Sequence, residues 1–482
     1  MKFFNKILSW SAFTCACVAV LPAPWFFGAW EMWWFWVFAA FLFLSVFFFG
    51  LMTLTRPSLS HSPHNADVYD PEARTNARLV RICLTAWLIF LAYALVRALQ
   101  AEVFMNAERS FLLFFTPFLL GVEIVFGWNR IQMKSFSVML AVNFFCLAAY
   151  GIINHYCCNS EYVMWVKGYE RYITGHRATG SYFCPDHFAG AMELCLCLAG
   201  GLLLSRGNGI LFKASGALLA LPAVLGVVLS KSRGGLLTLI VLAVAVAAWG
   251  FNQWRPLSRW LRRSFLLAAA GVLVAAFAVF GGAHFERFKN YFDWDRASRK
   301  SAREAVSHVL THLKTTSRGR MIAGALRAWG ENKLFGIGPG MHQNLWPHYA
   351  ASGEGDRTTG TPPLIVSTHF HSYQVHSDWI QLMEEYGLIG LALFLAAAAA
   401  TLAFPITAIR REMVQRRDNN WQTTGNEWYW SVLAGFFAAI AMGFHSLGDF
   451  NLQMPATVWM FASMVAVSIA RTVNKDNDLA SE

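Results

Sequence analysis

Twelve apolar runs, each near the roughly 20 residues that cross a hydrocarbon core, recur along this chain and leave it little choice of fold. They lie near residues 7–24, 31–54, 79–99, 110–127, 135–154, 187–204, 210–229, 234–251, 264–281, 378–403, 428–445 and 453–470. The first closes early at Pro22 and Pro24, and the fourth is interrupted by Pro117 and Glu123. Hydrophobic residues make up 56% of the chain and charged residues only 14%, against about 25% charged in an ordinary soluble domain. The expected fold is all-α: a polytopic integral membrane protein with twelve spans and one large, partly helical external loop. That divides the chain into helices 1–9 over residues 1–281, the loop over 282–375, and helices 10–12 with the C-terminal tail over 376–482, acting as one functional unit.

Lys and Arg in the short loops orient the bundle. With the N-terminus inside, the cytoplasmic side collects Lys2, Lys6, Arg56, Arg74, Arg78, the 255–263 cluster and the 410–417 cluster, among others, while the short external loops hold only Arg97, Arg109, Lys167, Arg171, Arg177, Lys231 and Arg233. Both termini are expected inside. The start "MKFFNKILSWSAFTCACVAVLPAP" has the look of a secretory signal, but it is read as an uncleaved first helix, since its removal would move the C-terminus to the other side. The net charge of +11 does not imply nucleic acid, because the positive residues form short clusters beside apolar spans, where anionic membrane lipid explains them. Most cysteines fall in or near spans and read as small core residues; Cys157, Cys158 and Cys184 share an external loop and leave one disulfide open.

No fixed-period repeat is visible, and the two halves carry no matching pair of broken helices of the kind transporters use. Polar residues instead gather in four external segments, 155–186, 230–233, 282–375 and 446–452, where function is expected. Within the long one, "SRGRMIAGALRAW" places Met321, Ile322, Ala325, Leu326 and Trp329 at helical spacing with Arg320 and Arg327 interleaved, which suits a helix at the lipid surface. "LFGIGPGMH" turns sharply on Gly336, Gly338 and Gly340.

The stretch "VHSDWIQLMEEYGLIGL" heads the tenth span with a histidine. On a continuous helix Gly387 and Gly390 fall beneath His376, Gly387 about 16 Å below it, and glycine there suits close packing against a neighbouring helix. If His376 occupies the first turn, the helix dipole disfavours its charged form and leaves a candidate general base. Glu384 is expected on the floor of the same site and Glu385 on the opposite face. Arg171, His176 and Arg177 precede the sixth span, and Arg233 sits in the short turn before the eighth. Guanidinium groups offer a planar fork of donors to phosphate oxygens, so arginines fixed at span ends opposite a histidine suit a pyrophosphate. His445 and Asp449, four residues apart, are expected to pair on one helix face in a structural role. His369, His371 and His376 have no usual metal-ligand spacing, so no metal and no cofactor is expected. Taken singly, each of these residues has a plainer reading, as a helix cap or a headgroup anchor; their common external side is what sets them apart.

"HSDWIQLMEEYGLIG" resembles the H-[NSQ]-x9-G-x-x-[GTY] signature of bacterial O-antigen ligases and their polymerase relatives, with His376, Ser377, Gly387 and Gly390 at its defined positions. "RATGSYFCPDHFAG", "SRGG" and "LFGIGPGMH" are similar to further segments of that family in the same order, so the resemblance spans roughly residues 170–455. It implies an inner-membrane glycosyltransferase that takes a glycan from a polyprenyl-pyrophosphate donor on the periplasmic side and passes it to lipid A core, to another glycan or to a protein. It carries the catalytic histidine onto His376 and the donor-binding arginines onto Arg177 and Arg233. Asp186 stands where the family usually has Asn. Supporting roles are expected for Arg171, His176, Asp186, Arg320, Ser377, Glu384, His445 and Asp449. A transporter of lipid-linked glycans is the alternative from another class.

Overall fold

In the computed structural model, residues 2–55, 71–157, 177–205, 209–253, 282, 285–351, 371–418 and 428–473 are described. Eight helices come first: α1 (Lys2–Val20), α2 (Met32–Thr55), α3 (Pro71–Leu99), α4 (Phe104–Gly127), α5 (Arg130–Cys157), α6 (Pro185–Leu204), α7 (Ile210–Ser230) and α8 (Arg233–Gln253). Two short helices at 285–291 and Trp294–Ala297 lead into α9 (Ala302–Thr315), α10 (Ser317–Glu331) and α11 (His342–Ala351). The chain then forms α12 (Asp378–Asp418), α13 (Tyr429–His445) and α14 (Pro455–Val473).

There is no strand among the described residues. Nine of the described helices are long and apolar enough to cross a membrane, and two shorter apolar helices cover residues 233–249 and 429–445. Eleven of the twelve expected runs are therefore helical, and the ninth, near 264–281, lies outside the described residues. The chain is an all-α polytopic membrane protein.

Ionisable and polar groups inside the spans find partners, as a medium without water requires. Glu123, buried in α4, accepts hydrogen bonds from Ser45 Oγ at 2.7 Å and Trp128 Nε1 at 3.0 Å. Pro117 does not break α4; next to it Thr116 Oγ1 donates to Leu112 O at 2.7 Å and accepts from Trp459 Nε1 at 2.9 Å. Small residues set the closest helix approaches: a side chain at Gly201 would collide with the Trp430 carbonyl, which holds α6 against α13. Among the long helices α6 and α14 are the most enclosed and α3 the least.

One end of the bundle is stitched together from distant loops. Ser181 Oγ donates to Pro24 O at 2.7 Å, Ala178 N to Leu229 O at 2.9 Å, and Arg109 Nη2 to Trp30 O at 2.5 Å. The long segment joins the same end. Ser301 and Glu304 form a capping box at the start of α9, and Thr316 caps α10 through Gly319 N at 3.1 Å. The expected helix at Ser317–Trp329 is present as α10, and Gly336, Gly338 and Gly340 all have positive φ, at 73°, 110° and 67°.

The helix under the signature departs from expectation. α12 is not continuous, because Gly387 adopts φ 69° and ψ −173°. The 333–338 turn enters the gap. Ile337 N and Gly338 N donate to Glu384 O and Glu385 O at 2.8 and 3.0 Å, while Leu388 N and Ile389 N donate to Lys333 O and Leu334 O at 2.9 and 3.2 Å. Tyr93 Oη takes up the freed Tyr386 carbonyl at 2.7 Å, and Arg97 donates to the Phe335 and Gly336 carbonyls. Any Cβ at Gly387 would collide with Leu334 O. Gly387 thus serves a broken helix and an inserted turn, and not the helix packing expected of it. Gly390 does keep a packing role, since a Cβ there would stand 3.0 Å from Tyr93 of α3.

Candidate functional site

The stitched end holds a chain of alternating charges. It begins where α6 starts with Pro185 at its first position, which puts Asp186 in the first turn at the positive end of the dipole. The preceding loop folds back so that Arg177 Nε donates to Ser230 O at 2.7 Å, satisfying a carbonyl at the C-terminal end of α7. Arg177 Nη2 reaches Asp186 Oδ1 at 2.6 Å. The other oxygen of Asp186 meets Arg318 Nη2 at 3.0 Å, and the same nitrogen meets Asp449 Oδ2 at 3.3 Å. Asp449 Oδ1 stands 3.3 Å from His376 Nδ1. The path runs Arg177, Asp186, Arg318, Asp449, His376.

Burial alone would raise the Asp449 pKa, but Arg318 and the His376 hydrogen bond outweigh it and hold the carboxyl well below the ordinary carboxylate range. Burial opposes the Arg318 charge in the same way, and Asp449 and Asp186 overcome it, pushing that guanidinium above its usual value.

His376 is not in the first turn of a helix. It precedes α12 by two residues with φ 59°, a left-handed conformation that non-glycine residues adopt at a cost of about 1–3 kcal/mol. The 446–452 turn fixes it there. Asp378 N donates to Ser446 O and Asp449 O at 3.0 and 3.1 Å, and Asp378 Oδ2 accepts from Ser446 Oγ and Leu452 N at 2.8 and 3.0 Å. Ser377 Oγ reaches Ser446 O at 3.4 Å. The Phe450 ring meets His376 edge-on at 4.7 Å between centroids. Nε2 of His376 has no hydrogen-bond partner among the described residues, and the side chain is 24% exposed. With Nδ1 facing Asp449, Nε2 is the ring nitrogen left for another partner.

Other expected members stand elsewhere. His445 and Asp449 do not pair. α13 ends at His445, whose Nδ1 pairs with Glu193 of α6 at 2.8 Å, both side chains fully enclosed. Glu384 does not line the site: it is held by His342 Nδ1 at 2.8 Å, and His342 Nε2 contacts Ser372 Oγ at 2.9 Å. Glu385 accepts from Gly340 N at 2.9 Å and Gln381 Nε2 at 3.0 Å, so the two glutamates just before the break both hold residues that follow the inserted turn. Arg320 lies on α10, but Arg318, two residues earlier, is the arginine that reaches both aspartates. Arg171 and His176 lie outside the described residues, as do Cys158 and His369.

Arg233, at the start of α8, lies over the ring of Tyr291, 3.6 Å from its centroid. Arg287 belongs to the same group: burial first and Arg177 second push its pKa down to about 10. Lys231 is lowered by burial and then by Arg287 and Arg177. Sequence reasoning passed over Arg318, Arg287, Tyr291 and Glu193. Only Glu193 had a signal, as an acid inside a span that requires a partner. Among the described residues no group of three or more His, Cys, Asp or Glu side chains is arranged to hold a metal ion.

The fold and this cluster define a polytopic membrane protein with clustered arginines and a part-exposed imidazole at one end of its bundle. Residues 217–395, from α7 into α12, match the family model described as O-Antigen ligase. The match covers less than half of the chain. No curated protein matched the chain.

Proposed function

We propose that this protein transfers a glycan from a polyprenyl-pyrophosphate donor to an acceptor hydroxyl, with His376 as general base and the guanidinium cluster around Arg177 and Arg233 receiving the pyrophosphate. The observation that carries this reading is His376 itself: Nδ1 backed by a buried, ionised carboxylate, Nε2 open, and arginines reached through a shared aspartate. His376 Nε2 takes the acceptor proton as the acceptor oxygen bonds to the anomeric carbon. The bond from that carbon to the phosphate oxygen breaks, and its electron pair leaves with the polyprenyl pyrophosphate. Attack opposite the leaving group inverts the anomeric centre. Asp449 balances the imidazolium that forms, and guanidinium groups take the role that a divalent cation has in other pyrophosphate chemistry.

The charge bias of the loops supports a periplasmic site in the bacterial inner membrane with cytoplasmic termini. Lipid A core is the proposed acceptor. A polysaccharide polymerase or a protein O-oligosaccharyltransferase uses the same donor and base. Supplying purified lipid-linked donor with lipid A core, repeat-unit lipid or acceptor protein in turn separates the three. Release of polyprenyl pyrophosphate is expected from the wild type and not from His376→Ala. A transporter releases none and survives loss of the base, so either result overturns the proposal.

A further inference from the structure

The long segment carries two amphipathic helices, and their apolar faces differ in what covers them. α10 turns its own into the protein: Met321, Gly324, Ala325 and Ala328 are buried, and a Cβ at Gly324 would collide with Trp346 of α11. α9 has no buried residue. Counted at about 100° per residue from Val306, its Val309, Leu310 and Leu313 fall at about −60°, 40° and −20°, a single apolar strip. Val306 is 61% exposed and Leu310 56%.

The strip is left open because the other side of α9 is the side that is fastened. His308, at about 200°, reaches Asp293 Oδ2 at 2.9 Å and Lys300 Nζ at 3.0 Å. Glu304, which closes the capping box with Ser301, lies on that polar side too, at about 160°. Two exposed cations take the margin of the strip instead, Arg303 at about 60° and Lys314 at about 80°. An apolar face edged by cations, with the acid turned away, is the pattern of a helix lying in the surface of an anionic bilayer.

The fold also sets the level of this helix. Before it, Tyr291 lies over Arg233, the first residue of α8; after it, Arg318 reaches Asp186 in the first turn of α6. The stretch between is thus tethered at both ends to the heads of two apolar helices, where the surface of the bilayer runs. Trp294, 54% exposed, stands between the first tether and α9, and tryptophan favours that depth. We propose that α9 docks on the leaflet at this end of the bundle, with Val306 and Leu310 among the acyl chains and Arg303 and Lys314 against anionic phospholipid headgroups. This assignment goes beyond the donor reading above and does not rest on it.

The test is photocrosslinking of the full-length protein in nanodiscs, with p-benzoylphenylalanine placed singly at Val306, Leu310 or Thr311 and the adducts identified by mass spectrometry. In discs of phosphatidylethanolamine and phosphatidylglycerol, the probes at 306 and 310 are expected to give phospholipid adducts. The probe at Thr311, on the opposite face at about 140°, should give few. Combining Arg303→Gln with Lys314→Gln is expected to lower the adducts at 306 and 310 at least about fivefold, and discs of phosphatidylcholine alone should do the same to the unsubstituted helix. All four substituted positions are exposed or on the outer faces of α9, so each variant is expected to melt as the wild type does. Equal lipid labelling at 306, 310 and 311 overturns the docking, as do adducts at 306 and 310 to a second copy of the chain or no adducts there at all. Lipid adducts indifferent both to headgroup charge and to the loss of Arg303 and Lys314 overturn the anionic partner and the proposal with it.

Discussion

Two histidine–carboxylate pairs stand at the same end of the bundle and differ in what surrounds them. His445 and Glu193 are 2.8 Å apart and fully enclosed, whereas His376 and Asp449 are 3.3 Å apart with the imidazole partly open and the acid shared with Arg318. The first pair has no route to a substrate and serves packing between α6 and α13. The second has a free nitrogen at an opening and a chain of charges behind it. Residue type does not separate these two histidines; access and the carboxylate's other partners do.

The sharpest way to break the contrast is to remove each imidazole. His376→Ala is expected to lower transfer by about 10²–10⁴-fold, the range for a general base, with thermal stability close to wild type. His445→Ala leaves Glu193 alone in the interior and should cost about 3–5 kcal/mol of stability, with turnover per folded molecule much less affected. Parallel thermal unfolding and transfer assays test both, and matched activity losses would erase the distinction. Gly387→Ala should fall between the two in kind, losing stability and turnover together, because it forces a side chain into Leu334 O at a positive φ. Arg233→Lys keeps the charge but loses the stacked fork, and about a tenfold fall in kcat/KM is expected across a donor titration.

The smallest effect is in pH. Asp449 has a folded pKa below its unfolded value of about 3.9, so its contribution to stability is fully present above that value and is lost as pH falls through the lower, folded pKa. Arg318→Gln removes the main cause of the depression. Its acid unfolding, followed by thermal melts from neutral pH downward, should begin at higher pH than in the wild type.

Much of this architecture can be read from residue order, because a run of apolar residues states its solvent directly. The same holds for the turn at 336–340, where three glycines in five positions demand unusual backbone angles. Gly387 was legible as important but not in kind, since a glycine that admits a neighbouring helix and one that breaks its own helix look alike in a string of letters. The pairings of the site were not legible. Arg318 meets Asp186 across 132 positions and His376 meets Asp449 across 73, and no local periodicity connects them. The placement of His445 failed for a related reason: helical spacing linked it to Asp449, but the helix stops at His445 itself.

The break in α12 makes its first nine residues a lever of its own, pivoted at Gly387 and topped by His376. Its lowest carbonyls hang on the 333–338 turn, which hangs in turn on α10 and α11. A change in the 333–338 turn is therefore expected to shift the segment that carries His376 as well as the break itself.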